Sequence, residues 1–96
     1  MPRYLVLLTL TDHGIRNIDK SPERATAFRK QVEAAGGRVE SLYWAVGQFD
    51  GSVVFQAPND EVAASLLIKL GQQGNVRTHT LRVYEPAEFQ KILAQA

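Results

Sequence analysis

The apolar positions along the chain change period several times, and the changes mark out its elements. Tyr4 to Thr11, YLVLLTLT, is apolar at both alternations. A strand of that kind is covered on both faces. Asp12 to Lys20, DHGIRNIDK, carries no apolar period and reads as a polar loop with one glycine. Ser21-Pro22-Glu23 has the makings of a helix start: a hydroxyl cap, a proline at the first helical position and a carboxylate against the positive end of the dipole. Ala25, Phe28, Val32 and Ala35 then recur at three and four residues, the stripe of an amphipathic helix, and Gly36-Gly37 stops it.

Arg38 to Val46 alternates polar and apolar before its last residues turn solidly apolar, and Gly51 to Ala57 gives the next strand. Pro58-Asn59-Asp60 ends that strand and caps a second helix, with Ala63, Leu66, Leu67 and Leu70 on its buried side. Asn75 to Tyr84 is a fourth strand of mixed polarity. Pro86 opens a short final helix with Phe89, Ile92 and Leu93 on one side. The order β-α-β-β-α-β-α closes most simply as an α+β, ferredoxin-like βαββαβ sandwich with a short C-terminal helix. Right-handed crossovers then predict a four-stranded antiparallel sheet in the order 4-1-3-2. That order puts the two most apolar strands in the middle. Arg38, Glu40, Arg77, His79 and Arg82 fall on the edges, where charge protects an unpaired ladder.

The same topology gathers three connections at one end of the sheet: residues 11–20, residues 47–51 and residues 71–79. Asp12, His13, Arg16, Gln48, Asp50, Asn75 and Arg77 are brought there from distant parts of the chain. It also leaves one sheet face without a helix. Since strand one is apolar on both faces, the expected cover for the second is the same face of another copy.

Composition narrows the classes of function. Ninety-six residues make one domain, spanning 1–96. A net charge of +1 supplies no field to gather nucleic acid or acidic lipid. The chain has no cysteine, which removes disulfides and thiolate chemistry. The apolar start is too short for a signal segment or a membrane span, so the expected location is the cytoplasm, without a membrane or nucleic-acid partner.

His13 and His79 are the only histidines and could titrate near neutrality. A metal site would need Asp12 or Asp50 to join them, and no metal-ligand spacing is present; no metal and no cofactor is expected. Gly47 and Gly51 bracket a turn, and Asp50 is expected to bond turn amides or to pair with Arg77. Tyr43 and Trp44 should point to opposite faces of strand two. Phe49 is an odd residue for a turn, and the expectation is that it packs on Ile15, Ile18 or a partner subunit; the rival is a ring free to close over a ligand.

Three segments together carry a resemblance: TDHGIRNIDKSPERA, YWAVGQFDGSVVFQAPND and GNVRTHTLRVY. The chain resembles the GYD domain family, small bacterial and archaeal proteins named for a Gly-x-Tyr-Asp motif in the hairpin. Here the motif reads Gly47-Gln48-Phe49-Asp50, with phenylalanine in place of tyrosine and hence no phenol hydroxyl. The resemblance covers nearly the whole chain and implies a ferredoxin-like fold of the dimeric α/β-barrel type. It implies no activity.

Asp12, His13, Trp44, Phe49, Asp50, Arg77 and His79 form the candidate ligand or ion-pair cluster, with no catalytic residue assigned. The leading reading is a homo-oligomeric small-molecule binding or sensory module using the convergent end. The alternatives are a cofactor-free enzyme of the dimeric α/β-barrel type, using His, Arg and Asp for proton transfer, and a purely structural subunit.

Overall fold

The structure is a computed structural model covering residues 1–96. Its elements are β1 (Arg3–Leu10), α1 (Asp12–Arg16), a 3₁₀ turn (Ile18–Lys20), α2 (Ser21–Ala34), β2 (Arg38–Trp44), β3 (Gly51–Gln56), α3 (Asp60–Gln72), β4 (Val76–Val83) and α4 (Pro86–Gln95). The strands form one antiparallel sheet in the order β2-β3-β1-β4, which is the expected 4-1-3-2 order. No helix is long and apolar enough to cross a membrane.

The core lies between one face of this sheet and helices α2 and α3. Tyr4 and Val6 of β1, Val53 and Phe55 of β3, Phe28 and Val32 of α2, and Ala63 and Leu66 of α3 are all buried. Phe55 is its centre. The Tyr4 ring stacks on it at 5.3 Å, and the Phe28 ring meets it edge-on at 5.7 Å. These are the offset and T-shaped arrangements that aromatic quadrupoles favour. The Tyr4 hydroxyl donates to Asp60 in the first turn of α3, so the sheet and that helix are joined by a hydrogen bond as well as by packing.

The helix ends follow the chain's own chemistry, with two exceptions. Asn59 caps α3, its side-chain oxygen accepting from Val62 N–H at 2.9 Å. Gly36 takes φ +89°, which lets α2 end, and a Cβ on Gly37 would lie 2.1 Å from the Gln56 carbonyl oxygen. The first exception is the stretch expected as a plain loop, which folds into α1 and the 3₁₀ turn. Thr11 causes this by accepting from Gly14 N–H at 3.0 Å through its hydroxyl oxygen. The turn is too short to leave an apolar period in the sequence. The second exception is Ser21, which does not cap α2: its hydroxyl oxygen accepts from Trp44 Nε1 at 3.0 Å instead.

The opposite sheet face carries no helix. Leu5, Leu7 and Val54 lie half-buried in its middle, flanked by Leu81 on β4 and Tyr43 on β2. Helix α4 does not close over it: Phe89, Ile92 and Leu93 remain exposed. The helix is held at its start, where Arg3 reaches Glu85 at 3.1 Å and Glu88 at 3.6 Å while also pairing with Glu40 of β2. The chain is elongated, 48 × 30 × 18 Å, and its radius of gyration of 14.2 Å exceeds the ~12.5 Å of a compact chain this long.

Two titrations bound the stability of this arrangement. Burial, together with the bond to Asp60, raises the Tyr4 phenol from its ordinary 10.0 to about 12. The unfolded chain therefore gives up this proton first as pH rises, and stability should fall between pH 10 and 12. The bond from Arg3 holds Glu40 below the ordinary carboxylate value of 4.5, so stability should also fall as pH drops below that value. Chemical denaturation across pH should show both slopes. Tyr4→Phe should flatten the alkaline one and Glu40→Gln part of the acid one, and a variant that leaves its slope intact would refute the corresponding assignment.

Candidate functional site

The connections that converge at one end of the sheet are fastened to one another mainly through backbone atoms. Thr11 N–H donates to the Asn75 carbonyl at 3.1 Å, and the Thr11 hydroxyl donates to that of Gly74 at 2.6 Å. Gly14 sits so close to the turn before β4 that a Cβ there would lie 1.9 Å from the Asn75 oxygen. Only glycine permits this approach.

Asp50 fastens the third connection. Its N–H donates to the Leu8 carbonyl at 2.8 Å, and its Oδ2 accepts from Leu10 N–H at 2.7 Å. The half-buried Asp50 thus continues the β1–β3 pairing beyond its last register pair, Leu8 opposite Gly51. It meets an amide of the neighbouring strand rather than one of its own turn. Nor does it pair with Arg77, because the ion pairs of this chain all belong to Arg3.

The remaining candidates separate into two groups by sheet face. Phe49 is half-buried on the open side, its ring 5.8 Å from that of His79 at an interplanar angle of 66°. His79 stands opposite Leu7 on β1, and Arg77 opposite Thr9. Phe49 thus reaches over the end of β1 to β4, while Ile15 and Ile18 stay 51% and 45% exposed. Asp12 and His13 are exposed on α1. The structure joins Phe49 to His79, and brings Asp12, His13 and Arg77 into no hydrogen bond or ion pair with the other candidates.

Trp44 and Asp50 line a cavity of about 90 Å³ on the helix side, between the sheet and α2. Leu8, Phe28, Val53 and Leu70 contribute apolar wall, and Trp44 stands at it with half its surface exposed. Tyr43 points the other way, 66% exposed on the open face, as the alternation of β2 requires. The polar residue that the sequence did not single out is Arg24. It is among the residues lining the cavity; its Nη1 donates to the Asn17 carbonyl at 3.0 Å, and its Nη2 is buried without an acceptor. The available signal was a cation in the first turns of α2, the end where the helix dipole disfavours positive charge.

Asp50→Ala strands the Leu10 N–H and should cost about 1–3 kcal/mol in urea denaturation. Asp50→Asn keeps an acceptor and should cost less. With no contact between Asp50 and Arg77, the double variant Asp50→Ala/Arg77→Met should be additive within about 0.3–0.5 kcal/mol. A larger coupling would mean that the two side chains touch.

Comparison with known proteins agrees with this architecture. A Thermus thermophilus protein named glutamine synthetase and cystathionine beta-lyase binding protein is 34% identical over 90 residues, covering 93% of this chain and 95% of its own. Among solved structures, the Leucine response regulatory protein of Mycobacterium tuberculosis superposes with a TM-score of 0.59 at 21% identity. The match covers 88% of this chain, which spans about half of that protein, 51% of its length. TTHA0845, also from Thermus thermophilus, superposes with a TM-score of 0.54 at 18% identity, covering 88% of this chain and 95% of its own. These two likenesses are of fold alone. The GYD domain matches residues 4–93, nearly the whole chain, and the chain belongs to the GYD domain family.

Proposed function

We propose that this chain is a non-catalytic, cytoplasmic binding module that works as a homodimer, docks onto other enzymes and responds to a small molecule at the convergent end of its sheet. The observation that carries the reading is the helix-free sheet face. Leu5, Leu7, Val54 and Leu81 form an apolar centre there, and the exposed stripe of α4 lies beyond it. A chain of this size gains much by covering such a face. A second copy offers the same self-complementary patch about a twofold axis.

Docking onto enzymes is supported by the relative that shares 34% identity and is named for binding glutamine synthetase and cystathionine beta-lyase. The small-molecule part draws on the apolar cavity at the convergent end. The alternative of a cofactor-free enzyme draws less support. Proton transfer requires an acid or base within hydrogen-bond reach of a partner group, and His13 stands exposed while His79 packs on the Phe49 ring.

Sedimentation at micromolar concentration should give a dimer. Leu7→Glu and Leu81→Glu each place a charge at the centre of the proposed interface and should give folded monomers. Immobilised wild-type protein should also retain glutamine synthetase or cystathionine beta-lyase from its own organism. A wild-type monomer would reject the interface, and failure to retain either enzyme would reject the docking role.

A further inference from the structure

The open sheet face carries one charge that its own chain leaves unpaired. Residues directly opposite in an antiparallel pair share a face. The register therefore puts Arg77 beside Thr9, His79 beside Leu7 and Leu81 beside Leu5 on the open side. Val83 stands beside Arg3 at the far end of the same face. Arg77 is exposed and makes no ion pair, since the ion pairs all belong to Arg3. At the far end it is carboxylates that are crowded. Arg3 alone serves Glu40, Glu85 and Glu88, with Arg38 adding a second cation only beside Glu40. The Glu85 side chain, 3.1 Å from Arg3, is still 60% exposed, and Glu88 stands farther off at 3.6 Å.

We propose that two copies pack open face to open face with their ends exchanged, so that Arg77 of each lies against Glu85 and Glu88 of the other. A twofold axis lying in such an interface can run across the strands or along them. Across the strands, it lays β4 on β4 of the second copy, running the opposite way, and carries Arg77 over the start of α4. Along the strands, it lays β4 over β2 instead, the two outer strands of the sheet. Arg77 would then meet Tyr43, exposed on that face, rather than a carboxylate. Either axis covers the apolar centre of Leu5, Leu7, Val54 and Leu81, so the unpaired charge decides between them. With the ends exchanged, the exposed Phe89, next after Glu88, and Phe49, against His79, fall in the same contact. This arrangement rests on the homodimer proposed above and gives it an orientation.

Cross-linking tests the orientation, and a chain without cysteine has no competing thiol. Stacked sheets stand about 10 Å apart, within the span of a short bis-maleimide. The variant Thr9→Cys/Val83→Cys keeps Arg77 in place. Within one chain the two positions lie as far apart along the strands as Thr9 and Arg3, roughly 20 Å, beyond the reach of the linker. The double variant should give a covalent dimer, and either single variant should stay unlinked. Arg77→Glu should raise the dimer Kd by about tenfold, because the twofold repeats the lost pair at both ends. That difference should close in about 1 M salt. A sedimenting dimer that the double variant fails to link, or that a single variant links, would overturn the exchange of ends. So would a Kd unchanged by Arg77→Glu. Should the double variant fail to fold, Arg77→Glu decides alone. A wild-type monomer in sedimentation rejects the homodimer itself, whereas a dimer without the cross-link rejects only its orientation.

Discussion

Strand β1 must be apolar in both directions, because it lies between β3 and β4 with different surroundings above and below. Tyr4, Val6 and Leu8 face the helices and carry the strand's share of the core. Leu5 and Leu7 face the side that no helix covers. A single eight-residue segment therefore fixes the sheet order, places Phe55 beneath α2 and α3, and leaves an apolar surface on the outside. Register enforces this, since a slip by one residue would exchange the two faces. The charged edge strands, β2 and β4, are free to vary in polarity because they complete the ladder without filling the centre.

The end of the sheet where three connections meet depends on a different kind of bond. Thr11, Gly14 and Asp50 tie loops to strands by way of main-chain groups of Leu8, Leu10, Gly74 and Asn75. Such ties fix the backbone while leaving most side chains at this end unpaired. That is how a well-held scaffold comes to present exposed Asp12, His13 and Arg77 on its rim and a small cavity on its helix side.

The strand order, helix stripes and open face were legible in the sequence because each follows from periodicity. The α3 cap was legible for a local reason: Asn59 bonds an amide three residues on. What could not be read were contacts set by tertiary approach. Ser21 looks like a cap, yet the indole of Trp44 takes its oxygen. Asp50 has the chemistry of a turn residue or an ion-pair partner, yet a strand adjacent only in space supplies its donor. Phe49 meets His79 of β4, which lies two strand positions away in the sheet and nowhere near it in sequence. Arg24 passed unnoticed because nothing local marks an arginine that lacks an acceptor.

Arg3 joins β1 to Glu40 on one side and, on the other, to Glu85, which caps α4, and Glu88 in its first turn. The sheet is held by burial, which salt hardly weakens, but α4 is held at its base by charges, one of them on a Glu85 side chain that is 60% exposed. Attractions of that kind decay over a Debye length of about 8 Å at physiological ionic strength and about 3 Å at 1 M. The attachment of α4 is therefore expected to loosen with added salt before the sheet and its core do. How the apolar stripe of α4 is presented to a neighbour then depends on the surrounding electrolyte as well as on sequence.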